Sequence, residues 1–365
     1  MIQDVFILGS TGRVGRTLVQ QILESDTSPR THRNPTRIVG VASSKNYTYD
    51  SDGLIDTAVN YFVSKPQEYD SLPPLTDLVY KVEGNNPDLV FVDVTAVGDE
   101  MYDFHQHVME YSPFSIVTAN KLPLANASYE GFKGLVSKVS RYGYRCSVMA
   151  GAEAVSFIRD SRDLNDPPIT IEGCFSGTLG YLATALEKGT LFSTAIRTAH
   201  ELGYTEPDPR DDLNGMDVAR KLLILARTGG YPLYIRENLQ VTPFVPQEFL
   251  EAENGEEFLA NAEKADRYFA LVMDEAKSKG NTLRYVAEFR REGEGFSASV
   301  GLREVPIASS LGSLQGTDNK IVITTRTYPA EHPYKVEAPG AGLEITAQNV
   351  RRDLLYLLHG REQII

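Results

Sequence analysis

The stretch that most limits what this chain can fold into is its first, DVFILGSTGRVGRTLVQQILES, residues 4–25. Val5 to Leu8 form a short apolar run, Gly9, Gly12 and Gly15 follow, and Val14, Leu18 and Ile22 recur at helical spacing. Glycines allow a tight turn and a close backbone approach where a strand hands over to a helix. Continuous apolar runs of the same kind return at RIVGVAS (37–43), PDLVFVDVT (87–95) and FSIVTANK (114–121), with a helical pattern around 100–111. Unbroken apolar runs mark parallel strands buried on both faces, and their alternation with helices marks βαβ units. The prediction is an α/β fold, with a doubly wound, Rossmann-type nucleotide-binding domain over residues 1–145. A polar loop with two prolines, 26–36, joins the first helix to the second strand.

The pattern then changes. ITIEGCFSGTLGYLATALEKG (169–189) reads as strand, glycine turn and helix, and helices are predicted near 193–202, 215–228 and 256–279. Period-2 strands follow at NTLRYVAEFR, FSASVGLREV and NKIVITTRTY. Residues 146–335 are therefore expected to form a second, mixed α+β domain for substrate binding and dimerisation. An amphipathic helix over 346–360 closes the chain, and 336–365 is expected to return to the first domain. At 365 residues the chain has the length of about two domains of ~100–200 residues each.

The formal net charge of −13, with no block of like charges, argues against a nucleic-acid footprint. Two cysteines, Cys146 and Cys174, make neither a disulfide framework nor a zinc site. Both are expected as buried free thiols, and no metal site is expected. No apolar run approaches the ~20 residues that span a bilayer, and no basic leader precedes the first strand, so a cytoplasmic location is expected.

The glycine loop reads G-x-x-G-x-x-G, one residue longer than the usual dinucleotide fingerprint. Its position between strand and helix points to a pyrophosphate site made by Gly9, Thr11, Gly12, Arg13, Val14 and Gly15, an ordinary glycine-rich turn being the alternative. After the second strand an acidic residue would hold a ribose 2′-hydroxyl. Here stand Ser43, Ser44 and Lys45, which suit a 2′-phosphate. NADP is therefore expected, with NAD possible; the alternative is that Lys45 is merely solvated.

The segment YTEPDPRDDLNGMDVARK (204–221) holds five carboxylates ahead of a helix that continues as LLILA. Asp217 and Lys221, four apart, share a helix face. Two prolines stiffen the approach, fixing Glu206, Asp211 and Asp212. Carboxylates in a cleft could grip an amino group, while a lysine could supply a proton to a carbonyl oxygen. A second lysine, Lys121, ends the strand IVTANK at the carboxyl edge of the sheet, where ligands of such folds bind. Nearby ammonium groups lower each other's pKa, which suits proton transfer near neutrality. The residues alone thus point to a reductase of a small amino-bearing molecule.

GYTEPDPRDDLNGMDVARKLLILAR (203–227) resembles homoserine dehydrogenase, both the free-standing form and the C-terminal half of the aspartokinase fusion, and IEGCFSGTLGYL, IVTANK, VDVT and GAG (340–342) fit as well. The resemblance covers most of the chain, is sharpest over 171–228 and loosest between about 46 and 80. It implies NAD(P)-dependent interconversion of L-aspartate 4-semialdehyde and L-homoserine, on the way to threonine and methionine. It also implies catalytic roles for Lys121 and Lys221. Glu206, Asp212 and Asp217 would be substrate carboxylates, Gly177, Thr178 and Tyr204 substrate-facing, and Thr95 and Gly342 cofactor-side. A homodimer through the second domain's sheet is implied, and the alternating Leu283, Tyr285, Ala287 and Phe289 are compatible with it. Effector control through a separate domain is not expected.

The sequence departs from the family at YRCSVMAGAEAV (144–155), where related chains carry an acidic residue and a VGAGLP stretch whose carbonyls hold a sodium-type ion. Arg145 takes the acidic position, Met149 the first glycine and Glu153 the proline; Gln348 and Asn349 replace small residues near the chain end. Arg145 is expected to stand in for the ion, with Glu153 as its partner, or else to point to solvent. The alternative functions are a paralogous oxidoreductase for another amino- or hydroxy-aldehyde and a cofactor-binding regulator without turnover.

Overall fold

The computed structural model describes residues 2–26 and 35–362, so most of the proline-containing loop expected over 26–36 lies outside the described residues. It divides into two compact units, residues 1–152 with 341–365, and residues 153–340.

In the first unit β1 (Gln3–Leu8) leads through the glycine loop to α1 (Arg13–Gln21) and β2 (Thr36–Ala42). Then come β3 (Tyr47–Tyr49), α2 (Asp56–Ser64), α3 (Leu75–Glu83), β4 (Val90–Asp93), α4 (Asp99–Tyr111) and β5 (Ser115–Thr118). α5 (Leu122–Asn126), α6 (Tyr129–Val136) and β6 (Tyr142–Gly143) complete it before the chain leaves. Among the described residues the strand order is β3-β2-β1-β4-β5-β6, the order of a doubly wound dinucleotide-binding sheet. All neighbours are parallel except β3, which runs antiparallel to β2 at the edge. Its three residues fall where the sequence pattern is weakest. Val5, Ile7, Val41, Val90, Val92 and Val117 are buried because helices cover both faces of the sheet.

The second unit opens with α7 (Ala154–Asp163), β7 (Thr170–Cys174), α8 (Gly177–Glu187), α9 (Phe192–Glu201), α10 (Arg210–Leu213) and α11 (Met216–Thr228). α12 (Ile235–Asn238), β8 (Gln240–Val241), α13 (Gly255–Ala260) and α14 (Asp266–Ser278) follow, then β9 (Asn281–Glu292), β10 (Gly295–Pro306), β11 (Asp318–Thr324) and β12 (Tyr334–Pro339). The strands form a second mixed sheet ordered β12-β11-β7-β9-β10-β8. The single helix expected over 256–279 is two, because Asn261 ends α13 and folds its amide back onto the Glu257 carbonyl at 3.0 Å.

β9 corrects the dimer argument drawn from its alternation. Leu283, Tyr285, Ala287 and Phe289 are at most 4% exposed within one chain, on the side where α8, α11 and α14 pack. The other side carries Glu172, Glu288, Arg290 and Arg303, joined by ion pairs of 3.0–3.8 Å. α15 (Leu343–Glu362) closes the first unit, burying Ala347, Val350, Leu354 and Leu357 against the core that holds Leu18 and Val19 of α1.

Candidate functional site

In the first unit the glycine loop is built for close approach. Gly9 has φ +85°, and a Cβ on Gly15 would sit 2.1 Å from the Gly9 carbonyl oxygen, so the turn from β1 to α1 tolerates no side chain there. The Gly9 and Ser10 amides both donate to the Ala42 carbonyl at 3.0 Å, tying the loop to the end of β2. Gly12 caps α1 and brings no side chain to it, so the first-turn amides at Arg13, Val14 and Gly15 keep the helix's positive end open to an anion. Gly12 and Arg13 are exposed, Thr11 and Val14 half-buried.

After β2, the Ser43 hydroxyl accepts from the Lys45 and Asn46 amides at 3.2 and 2.9 Å and donates to the Asn46 carbonyl at 3.3 Å. It closes its own turn, which places Ser44 and Lys45 at the exposed tip. Gly342, at φ +141°, is exposed and its carbonyl accepts from the Thr346 amide in the first turn of α15.

At the carboxyl edge, Thr95 is held by Asp93. Its amide and hydroxyl both donate to Oδ1, at 2.8 and 2.7 Å. Asn120 donates through Nδ2 to Thr95 Oγ1 at 3.2 Å and to the Val97 carbonyl at 2.7 Å. Lys121, half-buried, follows it and caps α5. Neither Asp93 nor Asn120 is marked by sequence reasoning, although both stand in runs it quoted.

The altered segment is packed, not solvated. Arg145 is 6% exposed; its amide donates to Asp353 Oδ2 at 3.0 Å, its Nε lies 3.4 Å from Asp353 Oδ1, and its guanidinium lies 3.6 Å above the Tyr356 ring. The carboxylate that meets this cation is therefore Asp353 on α15, where the sequence suggested Glu153; the Glu153 carboxylate takes the Ser156 hydroxyl. Sequence spacing could not reveal a partner 208 residues away. Met149 and Ala150 both stand at φ +50°, ahead of Gly151 at φ +94°. Asn349 holds this left-handed run by donating to the Ala150 carbonyl at 2.9 Å, and its Cβ lies so near that only glycine fits at 151. Gln348 is exposed.

In the second unit the carboxylate segment folds onto the turn after β7. Thr178 Oγ1 lies 2.6 Å from the Tyr204 carbonyl and 3.1 Å from Asp212 Oδ1, while the Glu206 amide donates to Asp212 Oδ2 at 2.8 Å. Burial raises the Asp212 carboxyl to about 6; the charges of Glu206 and Asp217 add to that, against the two hydrogen bonds. Lys221 donates to the Phe175 carbonyl at 2.6 Å and pairs with Asp217 Oδ2 at 2.8 Å. The short turn from Phe175 to Thr178 thus anchors both the lysine and the half-buried Asp212 carboxylate. Gly177 starts α8 with the Thr317 carbonyl oxygen 3.0 Å from where a Cβ would be, a constraint that residue type alone does not announce. Gly215, at φ +77°, lets α11 begin against the Tyr285 hydroxyl. Asp208 and Arg210 pair with each other and shape the loop. Glu206 and Tyr204 are exposed beside them.

Cys146 and Cys174 are buried free thiols, and burial pushes both up, Cys174 to about 12. Among the described residues, no group of three or more His, Cys, Asp or Glu is placed to hold a metal ion, and no helix is long and apolar enough to cross a membrane.

The first unit's strand order and bare glycine loop are those of a doubly wound dinucleotide-binding fold, and the second unit holds a fixed lysine among carboxylates. A family model described as homoserine dehydrogenase matches residues 157–355. The homoserine dehydrogenase of Schizosaccharomyces pombe is 31% identical over 97% of this chain and 95% of its own length. The bifunctional aspartokinase/homoserine dehydrogenase of Buchnera aphidicola is 32% identical over 97% of this chain, which spans only 42% of that relative. Across such fusion relatives the chain spans roughly two fifths of their length. A crystal structure of a Candida auris protein of unknown function superposes with TM-score 0.85 at 28% identity, covering 98% of both chains. A hyperthermophilic archaeal homoserine dehydrogenase in complex with NADPH shares the fold, with TM-score 0.71 at 20% identity over 99% of this chain and 98% of that one. The chain belongs to the homoserine dehydrogenase family.

Proposed function

We propose that this protein catalyses the reversible, NADPH-dependent reduction of L-aspartate 4-semialdehyde to L-homoserine. The observation that carries the reading is the Lys221 ammonium, fixed by Asp217 and the Phe175 carbonyl on the same turn that anchors Asp212. Asp212 and Glu206 supply negative charge for the substrate's ammonium group, with Thr178, Gly177 and Tyr204 shaping the rest of that site. Lys221 donates a proton to the aldehyde oxygen as it becomes an alcohol, and takes it back in the oxidative direction. Lys121 is the second catalytic lysine. A dinucleotide bound at the glycine loop would supply the hydride that the aldehyde carbon takes up. Residues Gly9 to Gly15 fit its pyrophosphate, since Gly9 and Gly15 leave the backbone bare and the α1 end is open. Lys45 at its exposed tip fits a 2′-phosphate, and Thr95 and Gly342 complete the cofactor side.

On this reading the unit of residues 1–152 with 341–365 is the cofactor domain and that of 153–340 the substrate and dimerisation domain, the expected borders at 145 and 335 moving because β12 pairs with β11, and the product serves threonine and methionine synthesis. A homodimer would use the charged side of the second sheet, where Glu172, Glu288, Arg290 and Arg303 form a ladder of paired charges. Buried free thiols suit the cytoplasm. A paralogous activity on another amino- or hydroxy-aldehyde is favoured only by the remade segment around Arg145. Oxidation of NADPH upon addition of aspartate semialdehyde tests the proposal; turnover on a different aldehyde alone would replace it with the paralogous reading.

A further inference from the structure

We propose that His105 is a positioning residue that fixes the loops carrying Thr95 and Lys121; its link to catalysis rests on the functional reading above. His105 lies on α4 and is 0% exposed. Its Nδ1 stands 2.8 Å from the Tyr142 hydroxyl on β6, and its Nε2 stands 3.3 Å from Asp93 Oδ2 at the end of β4. The Nε2 contact is electrostatic, too oblique for a hydrogen bond. Burial keeps the Tyr142 phenol protonated, and in the tautomer with hydrogen on Nε2 it donates to Nδ1 while the imidazole N–H faces Asp93.

Asp93 would be costly to keep charged in this place without such a neighbour. Burial pushes its carboxyl up, but the His105 ring together with the Thr95 amide and hydroxyl more than offsets this and holds it low. Charged, it accepts two hydrogen bonds from Thr95 and one from Thr118 Oγ1 at 3.3 Å. Thr95 Oγ1 in turn accepts from Asn120, whose Oδ1 takes the Leu122 amide at 3.1 Å. One unbroken line of polar contacts therefore runs from Tyr142 through His105, Asp93 and Thr95 to the two residues flanking Lys121. Without the imidazole the carboxylate must turn away or take a proton, and either change loosens its hold on Thr95.

The test compares wild type with His105→Phe, which keeps a ring and removes both polar contacts, and His105→Gln, whose amide can meet both neighbours. Amide hydrogen exchange at Thr95, in the free protein, is expected to quicken in His105→Phe and to recover in His105→Gln. With NADPH and aspartate semialdehyde, kcat is expected to fall ~10–100-fold in His105→Phe while the KM for NADPH stays within about twofold, since a small displacement near the reacting groups costs rate more than affinity. Unchanged Thr95 exchange, or kcat within about a factor of two of wild type well below the variant's Tm, overturns the proposal. If wild type itself does not turn over that aldehyde, the functional reading fails, and the exchange result alone decides whether His105 positions Thr95. Should His105→Phe not fold, Tyr142→Phe carries the same two readouts, and no change in either overturns the proposal.

Discussion

Two aspartates, Asp93 buried in the first unit and Asp212 half-buried in the second, each stand beside a threonine hydroxyl and a backbone amide, and they end in opposite states. Asp93 is fully buried yet held below the usual carboxylate range, because the His105 ring faces it and Thr95 donates twice. Asp212 is only partly buried and is raised to about 6, because its neighbouring charges are those of Glu206 and Asp217. Hydrogen bonds of similar length serve both, so the other neighbours decide the outcome, an imidazole facing Asp93 and two carboxylates beside Asp212. Asp93 has its partner within the fold and acts as structure. Among the described residues Asp212 has no cationic partner, which is what a carboxylate meant for a substrate's ammonium group would lack before binding.

The largest expected effect concerns the lysines. Lys221→Ala and Lys121→Ala should each lower kcat by ~10²–10⁴-fold with cofactor binding little changed. Turnover within a few-fold of wild type would show that proton transfer belongs to another group. Next in size, Asp93→Asn should cost about 3–5 kcal/mol in denaturant unfolding at pH 7, since it breaks a buried polar network and removes the charge facing His105. A variant as stable as wild type would erase the structural half of the comparison.

The pH dependence sharpens it further. The Asp93 pKa is lowered on folding, so its contribution is present above the unfolded value and is lost as pH falls through the folded one. The Asp212 pKa is raised from 3.8 to about 6, so charging it weakens the fold progressively as pH rises through that window. The Tm difference between Asp212→Asn and wild type should therefore shift in favour of the variant by a few degrees from pH 4 to pH 7. The same difference for Asp93→Asn should move against the variant as pH rises from 3 upward. Parallel trends would mean the two sites are alike after all.

A smaller effect is expected at the first unit's exposed tip. Lys45→Ala should raise the KM for NADPH by ~10-fold and leave NADH nearly unchanged, the loss of one exposed charge contact. Equal losses for both cofactors would remove Lys45 from the 2′-phosphate. The smallest effect is none: with Arg145 held by Asp353 and stacked on Tyr356, activity should not change when sodium is exchanged for potassium or an organic cation at constant ionic strength. A requirement for one monovalent ion would refute the idea that the arginine replaces it.

Much of this was legible in the chain. Continuous apolar runs such as VFIL and LVFVDV name buried parallel strands, and the glycines between Leu8 and Arg16 name the turn, because both signals are local and depend on backbone sterics and side-chain period. The carboxylate segment was legible too, through its density and its Asp217–Lys221 spacing. β9 was not, since Thr282, Arg284 and Val286 are buried along with the apolar set and the alternation hid which side faces the helices. Nor was the Arg145 partner.

What the sequence determined by itself was therefore whatever one segment can state alone: the strand–glycine–helix opening, the parallel sheet, the free thiols, and a lysine four residues after a carboxylate. The tertiary structure decided which charges face each other. His105 meets Asp93, Arg145 meets Asp353, and Asp212 meets hydrogen-bond donors and two other carboxylates. The reason is physical. A hydrogen bond or pKa depends on atoms a few ångströms away, and residues that close in space stand up to 351 positions apart along the chain.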